Sequence, residues 1–319
     1  MSHMKPSTTS EWTHIHGFHS SYSFNNKIFI KTSKQDDLTN EAKELERCKN
    51  ESIKTAHVIP SEFLSWDASK NSLTSTYIVE AKSYFNILWN NASFLGKMLK
   101  KADAMNMKLL LQRSREIGEW LRLYHDSTIN RNFDIAQMAD RMLKSFSDKS
   151  NRIRDRKLIP GKLLDKYQAV FCPVFEQIKQ KGVAYLNEQD AHCCVTHGDF
   201  IAYNISIDKN ENARVVDFGS TNPGVNLEDV GRFYELFYAI GSMSGNLCRV
   251  FNNLKNQFVA GYRLSETALQ SDLFFAIRAY NGLVHSIASD VQKDYDSFFT
   301  RIMMRRITNK TLAWMNKRS

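Results

Sequence analysis

Two short runs hold the residues whose types and spacing could do chemistry. The first is Val195-Thr-His-Gly-Asp-Phe-Ile-Ala-Tyr-Asn204, and the second is Arg214-Val-Val-Asp-Phe-Gly219. Together they supply Asp199, Asn204 and Asp217, hard oxygen donors suited to Mg²⁺, and a carboxylate that can face an attacking hydroxyl. Phosphoryl transfer from a nucleoside triphosphate uses this set: oxygen ligands for the metal, and an acidic group beside the acceptor. Asn204-Ile-Ser-Ile-Asp208 and Ala213-Arg-Val-Val-Asp217 read as strands around the turn Lys209-Asn-Glu-Asn212. A hairpin there brings Asn204, at the start of one strand, near Asp217, at the end of the next. Both can then share metal ions while Asp199 stays in the preceding loop.

The elements that must position these groups follow from periodicity. The first eighty residues are β-rich: Trp12–Phe18, Tyr22–Phe24 and Lys27–Thr32 are strand-like, with Asn25-Asn26 as a turn that tolerates positive φ. Leu38, Ala42, Leu45 and Cys48 recur at helical spacing, and Ala56–Pro60, Glu62–Trp66 and Ser72–Glu80 return to strand character. From about residue 90 long helices dominate. Leu110, Ile117, Leu121 and Tyr124 form one apolar stripe, Ile135, Met138, Met142 and Phe146 another, and a further helix is expected over 163–185. The expected fold class is therefore α+β. Residues 1–10 read as a tag or disordered start, 11–80 as a small α+β lobe, 81–90 as a hinge and 91–319 as a larger helical lobe carrying the two motif loops.

With these motifs on the page, the chain resembles the aminoglycoside phosphotransferase and choline kinase family, within the two-lobed protein-kinase-like fold. His197, Gly198, Asp199 and Asn204 reproduce the family's H-G-D-x-x-x-x-N loop, and Asp217-Phe218-Gly219 its metal-binding strand end. The resemblance implies Asp199 as the catalytic carboxylate, Asn204 and Asp217 as metal ligands, and ATP with Mg²⁺ as cofactors; the motifs do not distinguish ATP from GTP. It also implies that Lys31 holds the phosphates, with Glu41 as its helix partner, while Gly17, Ser20 and Ser21 form the turn that covers them. Residues Glu80 to Lys82 would run past the base. Lys34 and Glu44 are the local alternatives to Lys31 and Glu41. His197 is expected to be structural. Asp229 either braces the loop or, three residues after Asn226, completes a helix N-cap. Ile117-Gly-Glu-Trp-Leu-Arg-Leu-Tyr-His125 resembles the family's helix end, where His125 is equally a core residue.

The departures from the pattern narrow the acceptor. Gly17 is the only glycine before Gly96, so no glycine-rich loop covers the phosphates. The H-G-D form lacks the arginine that anchors an activation-loop phosphate, and residues 220–228 are too few for a peptide platform. A small-molecule or glycan acceptor is expected, with a protein kinase or a catalytically silent kinase-shaped binding module as the alternatives. The formal net charge of +9 tilts the acceptor towards an anionic one. Charge alone does not make a nucleic-acid binder, and no nucleic-acid motif is present. The cluster Arg301, Arg305, Arg306, Lys310, Lys317 and Arg318 reads first as a solvated helix face. The odd count of five cysteines, without metal-ligand spacing, and the lack of a membrane span or signal core make the cytoplasm the expected location. The sequence carries no signal of oligomeric state.

Overall fold

The computed structural model describes residues 12–16, 20–25, 27–78, 81–92, 107–129, 131–241 and 246–291. Strands β1 (Thr13–His16), β2 (Ser20–Phe24), β3 (Ile28–Ser33), β5 (Phe63–Asp67) and β6 (Ser72–Thr76) form a five-stranded antiparallel sheet in the order β1-β2-β3-β6-β5. The β2–β3 turn is fixed by Asn25, whose side-chain oxygen accepts from the amides of Lys27 and Ile28 at 2.9 Å each. Helix α1 (Thr39–Asn50) packs its Ala42, Leu45 and Cys48 face inward, as the spacing predicts.

The N-terminal part does not end cleanly in space. Strand β4 (Val58–Pro60) leaves the first sheet and pairs in parallel with β10 (Ala213–Val215), which in turn pairs antiparallel with β9 (Ile205–Ile207). On the other side of β9 lies β7 (Lys82–Ser83). The hairpin expected around Asn204 and Asp217 is thus the centre of a second, four-stranded sheet fed from both parts of the chain. A third small sheet pairs β8 (Cys193–Thr196) with β11 (Asn222–Val225), so the stretch after Asp217 folds back along the strand leading to Asp199.

The remainder is helical. After β7 come α2 (Tyr84–Ala92), α3 (Met107–Asp126), α4 (Ile135–Asp155), α5 (Gly161–Lys181) and α6 (Val183–Glu188), and after β11 come α7 (Leu227–Gly241), α8 (Asn246–Tyr262), α9 (Glu266–Gln270) and α10 (Asp272–Val291). The helix expected over 163–185 is two helices. Gly182 sits at φ +59° and ends α5 before α6 begins. The fold class is α+β: a β-rich N-terminal part and a mainly helical C-terminal part. No described helix is long and apolar enough to cross a membrane, and all five cysteines are free thiols.

One crossing fixes the helical part. On α8, Gly261 lies against the backbone of Arg115 on α3, where an added Cβ would fall 1.9 Å from the carbonyl oxygen. Backbone on both sides leaves nothing flexible to yield. Gly261→Ala should therefore lower stability by about 1–3 kcal/mol, the usual cost of overpacking. Denaturant titration of both proteins measures this, and an unchanged midpoint would mean that α3 and α8 do not approach so closely.

Candidate active site

Lys31 ends the central stretch of β3 with its ammonium 2.8 Å from Glu41 Oε2 and 3.2 Å from Asp217 Oδ1. Burial works against its charge, but attraction to Glu41 and then Asp217 outweighs that and raises its pKa above the ordinary lysine value. Burial raises the Glu41 pKa, while Lys31 and the Phe218 amide pull it back. The rival Glu44 is taken by an ion pair with Arg47 on its own helix, and Lys34 does not enter the cleft wall. Asp217 adopts φ +65°, a left-handed conformation unusual for a residue with a side chain. Such backbone persists where the surroundings impose it, often at functional sites.

These residues line a cleft of about 440 Å³, together with Asn204, Tyr22, Phe29 and the segment from Tyr77 to Ile78. Several expected contributors are elsewhere. Ser20 is buried at the start of β2, Ser21 directs its hydroxyl to the Thr32 carbonyl, and neither lines the cleft. Of the base-facing stretch, Ala81 lines the cleft, but Lys82 turns out in β7, opposite Ile207. Gly17 and Glu80 lie outside the described residues, as does the basic cluster from Arg301 to Arg318.

Asp199 stands at a second cavity of about 490 Å³, whose wall includes Arg232, Arg141, Lys149, Glu228 and Asn281. Its Oδ2 accepts from Asn204 Nδ2 at 2.9 Å, and its Oδ1 from Arg232 at 2.6 Å. The Asp199–Asn204 hydrogen bond therefore joins the two cavities, because Asn204 lines the first and Asp199 the second. Arg232 also donates to the Gly198 carbonyl at 2.6 Å. Sequence reasoning missed this arginine. Its only signal was a place one helical turn after Asp229 (Asp229-Val-Gly-Arg232), which puts both side chains on one face of α7.

The loop carrying Asp199 is held from behind. Asp229 is buried and accepts from the amides of His197 at 2.6 Å and Gly198 at 2.9 Å, and from His125 Nε2 at 3.0 Å. Burial would raise its pKa, but the His125 hydrogen bond and charge and the loop amides together lower it below the usual aspartate value. The expected Asn226 cap is not formed. Asn226 instead donates to Tyr262, and the helix start is closed by Glu228 accepting from the Val225 amide at 2.9 Å. His125 continues the chain to Tyr262, 2.9 Å from its Nδ1, so it is a buried linker between Asp229 and α8. His197 is buried, and loss of solvation lowers its pKa. Its Nε2–H donates to the Val216 carbonyl at 3.1 Å, tying the Asp199 loop to the end of β10. Gly198 holds φ +77°, and an added Cβ would meet the Ser220 carbonyl oxygen at 2.0 Å, so only glycine fits there.

No protein-family model and no curated protein sequence matches the chain. Solved structures do match it in shape. A choline/ethanolamine kinase family protein from Mesorhizobium loti superposes with a TM-score of 0.51 at 15% identity, over 97% of this chain and 88% of that one. The choline kinase LicA from Streptococcus pneumoniae gives 0.52 at 13% identity, over 95% and 93%. The ADP-bound aminoglycoside phosphotransferase APH(2'')-Ib gives 0.50 at 15% identity, over 96% and 93%. The chain has the fold of these small-molecule kinases.

The Asp229 arrangement predicts a stability effect with a definite sign in pH. Removing the carboxylate in Asp229→Ala leaves His125 and two buried amides unpartnered and should cost about 3–5 kcal/mol at neutral pH. Because the folded pKa is depressed, the Asp229 contribution is complete above the ordinary aspartate value of about 3.9 and fades as pH falls below it. Urea titrations from pH 7 to 3 should show the gap between wild type and variant narrowing only at the acid end. A gap that stays constant to pH 3, or one absent at pH 7, contradicts the arrangement.

Proposed function

We propose that the protein is an ATP- and Mg²⁺-dependent phosphotransferase that phosphorylates a hydroxyl of a small molecule or sugar precursor. The observation that carries this reading is the meeting of two cavities at Asp199 and Asn204. One is lined by a lysine–glutamate–aspartate group suited to a nucleotide, and the other opens on Asp199 and Arg232. Similar folds bound to ADP support a nucleotide in the first cavity.

The donor set fits a magnesium nucleotide. Asp217 is half exposed within the cleft, and Asn204, which gives its Nδ2 to Asp199, keeps Oδ1 free of hydrogen bonds among the described residues. Among those residues no three His, Cys, Asp or Glu side chains gather into a protein-only metal site. Mg²⁺ needs only one or two protein oxygens when phosphates and water supply the rest. Asn204 and Asp217 would hold it, with Lys31 braced by Glu41 on the phosphates. GTP would fit the same donors.

MgATP supplies the phosphoryl group and a cation that offsets its charge. The chain's own part is placement. Asp199, fixed by Asn204 and Arg232, would orient the acceptor hydroxyl and take its proton. The hydroxyl oxygen forms a bond to the γ-phosphorus as the bond to the bridging oxygen breaks, and ADP departs with that electron pair. Arg232 adds positive charge beside the transferring group, where fixed charge lowers the barrier. His197 takes no proton in this scheme and serves, with Asp229, to hold the loop. The segment 220–228, occupied by β11 against β8, offers no peptide platform, which favours a small acceptor over a protein.

Asp199→Asn should leave MgATP affinity nearly unchanged, because the carboxylate faces the acceptor and the amide is isosteric. Transfer, followed as ADP release across a panel of alcohols, should fall by about 10² to 10⁴. Asp217→Ala should abolish turnover at saturating Mg²⁺ with the fold retained by circular dichroism. Wild-type protein that binds no MgATP in a calorimetric titration would refute the reading and favour a silent kinase-shaped module.

A further inference from the structure

The second cavity carries information about the acceptor that the catalytic residues do not. One wall is a ridge of α4, Arg141, Ser145 and Lys149, spaced four residues apart and so stacked along one side of the helix. The facing wall is α10, with Tyr280 and Asn281, and α7 closes the end with Glu228 and Arg232.

The walls carry three cations, Arg141, Lys149 and Arg232, and three carboxylates, Asp199, Glu228 and Asp229, but these do not pair one to one. Asp199 is matched by Arg232. Asp229 also lines this cavity, but it is buried and its oxygens accept from the loop amides and His125. Glu228 accepts from the Val225 amide, and its nearest cation, Arg141, stands 3.9 Å off, too far for a hydrogen bond. Lys149 meets no carboxylate among the described residues. It donates to the Ser145 hydroxyl at 2.8 Å and lies 5.1 Å above the Tyr280 ring.

Two donors lining the same cavity, Arg141 Nη2 and Asn281 Nδ2, are buried and make no hydrogen bond among the described residues, although Asn281 is only 3% exposed. Arg141 Nη2 has only the 3.9 Å ion pair with Glu228. Buried donors left without a hydrogen bond are uncommon, and both residues belong to the lining of this cavity. A cationic acceptor meets the opposite conditions. The Tyr280 face that could receive an ammonium group already holds Lys149, and no carboxylate at the wall is free of a cation or an amide.

Resting on the phosphotransferase reading above, we infer that the acceptor is an alcohol that already carries an anionic group, a phosphate ester or a carboxylate, and that Arg141, Lys149 and Asn281 hold that group while Asp199 takes the hydroxyl. The three cradle donors of different elements, α4 and α10, would make the anion an anchor that sets which hydroxyl reaches Asp199. Arg141 can offer two parallel N–H donors to an oxyanion and Lys149 a mobile point charge.

The test uses four ligands with one ring and different charge: glucose, glucose 6-phosphate, glucuronate and glucosamine, with inorganic phosphate as a probe without a scaffold. The full chain loaded with MgADP is titrated calorimetrically with each, alongside Arg141→Gln and Lys149→Gln. The anionic sugars or inorganic phosphate should bind at least about tenfold more tightly than glucose and glucosamine, a difference of 1.4 kcal/mol. Each substitution should remove most of that preference, and the phosphate and uronate arms show which oxyanion is favoured. Glucosamine binding most tightly, no anion binding more tightly than glucosamine, or a preference that survives both substitutions would overturn the inference. The nucleotide is read separately. Failure to bind MgADP would remove the phosphotransferase reading, whereas anion titrations without nucleotide would still decide the character of this cavity.

Discussion

A carboxylate taken out of water has to be met by donors on nearly every lone pair, and Asp229 is placed where that requirement organises the rest of the site. Its three donors come from two elements, the amides of His197 and Gly198 at the end of β8 and the ring of His125 at the end of α3, while Asp229 itself belongs to a third, α7. Removing any one leaves a buried charge underpaired, so the three elements hold one relative position. The loop that follows then has little freedom. Gly198 must take positive φ beneath the Ser220 carbonyl, and Asp199 emerges between the two cavities with one oxygen on Asn204 and the other on Arg232. The aromatic floor under this loop is equally fixed. Phe200 and Phe218 are fully buried and pack against Trp120, and His197 lies over Phe218 at 4.6 Å between ring centroids.

The second organising contact, Lys31 between Glu41 and Asp217, joins the β-rich part to the helical part. Alone, an ion pair across a cleft would be a soft link, since water competes for both ends. Here the sheet does the stiffening. β4, from the N-terminal part, pairs with β10, and β7, from the connector, pairs with β9, so the hairpin bearing Asn204 and Asp217 is clamped on both edges by strands from earlier in the chain. Lys31 and the oxygen donors of Asn204 and Asp217 therefore belong to one connected framework. That matters more in a chain without a glycine-rich covering loop, because fewer backbone amides are available to correct a misplaced phosphate.

What was legible in the sequence was local chemistry. Asp199 and Asn204, five residues apart, and the hairpin that carries Asn204 towards Asp217 could be read because their relation is set by short-range geometry. Lys31 and Glu41 were readable as a strand residue and a helix residue close in the chain, and Glu41 was preferred to Glu44 by the family resemblance; the structure adds that Glu44 is held by Arg47. Long-range relations were not legible. Nothing in the run Val58-Ile-Pro60 says that it will leave its own sheet for β10, and nothing in Asn226 says that its amide will go to Tyr262 and leave the cap to Glu228. The serines after Gly17 and Lys82 were misassigned for the same reason. A strand of known sequence still has two faces, and which one meets the cleft depends on register with a partner far along the chain.

The cavity at Asp199 and Arg232 shows why total charge is a poor guide and local pairing a better one. From the sequence, α4 presents an apolar stripe of Ile135, Met138, Met142 and Phe146, and by the amphipathic rule the neighbouring row of Arg141, Ser145 and Lys149 should face water. It faces a cavity instead, because α10 packs across from it and α7 closes one end. Neither cation has a carboxylate at hydrogen-bonding distance among the described residues. A net charge of +9 spread over a surface is screened within about 8 Å at physiological salt, so it says little about a ligand. Two cations and an unpaired amide at the wall of a cavity that contains the proposed catalytic carboxylate are a different matter. An oxyanion would supply the acceptor atoms these donors lack, so under the inference drawn above the same side chains would select the acceptor.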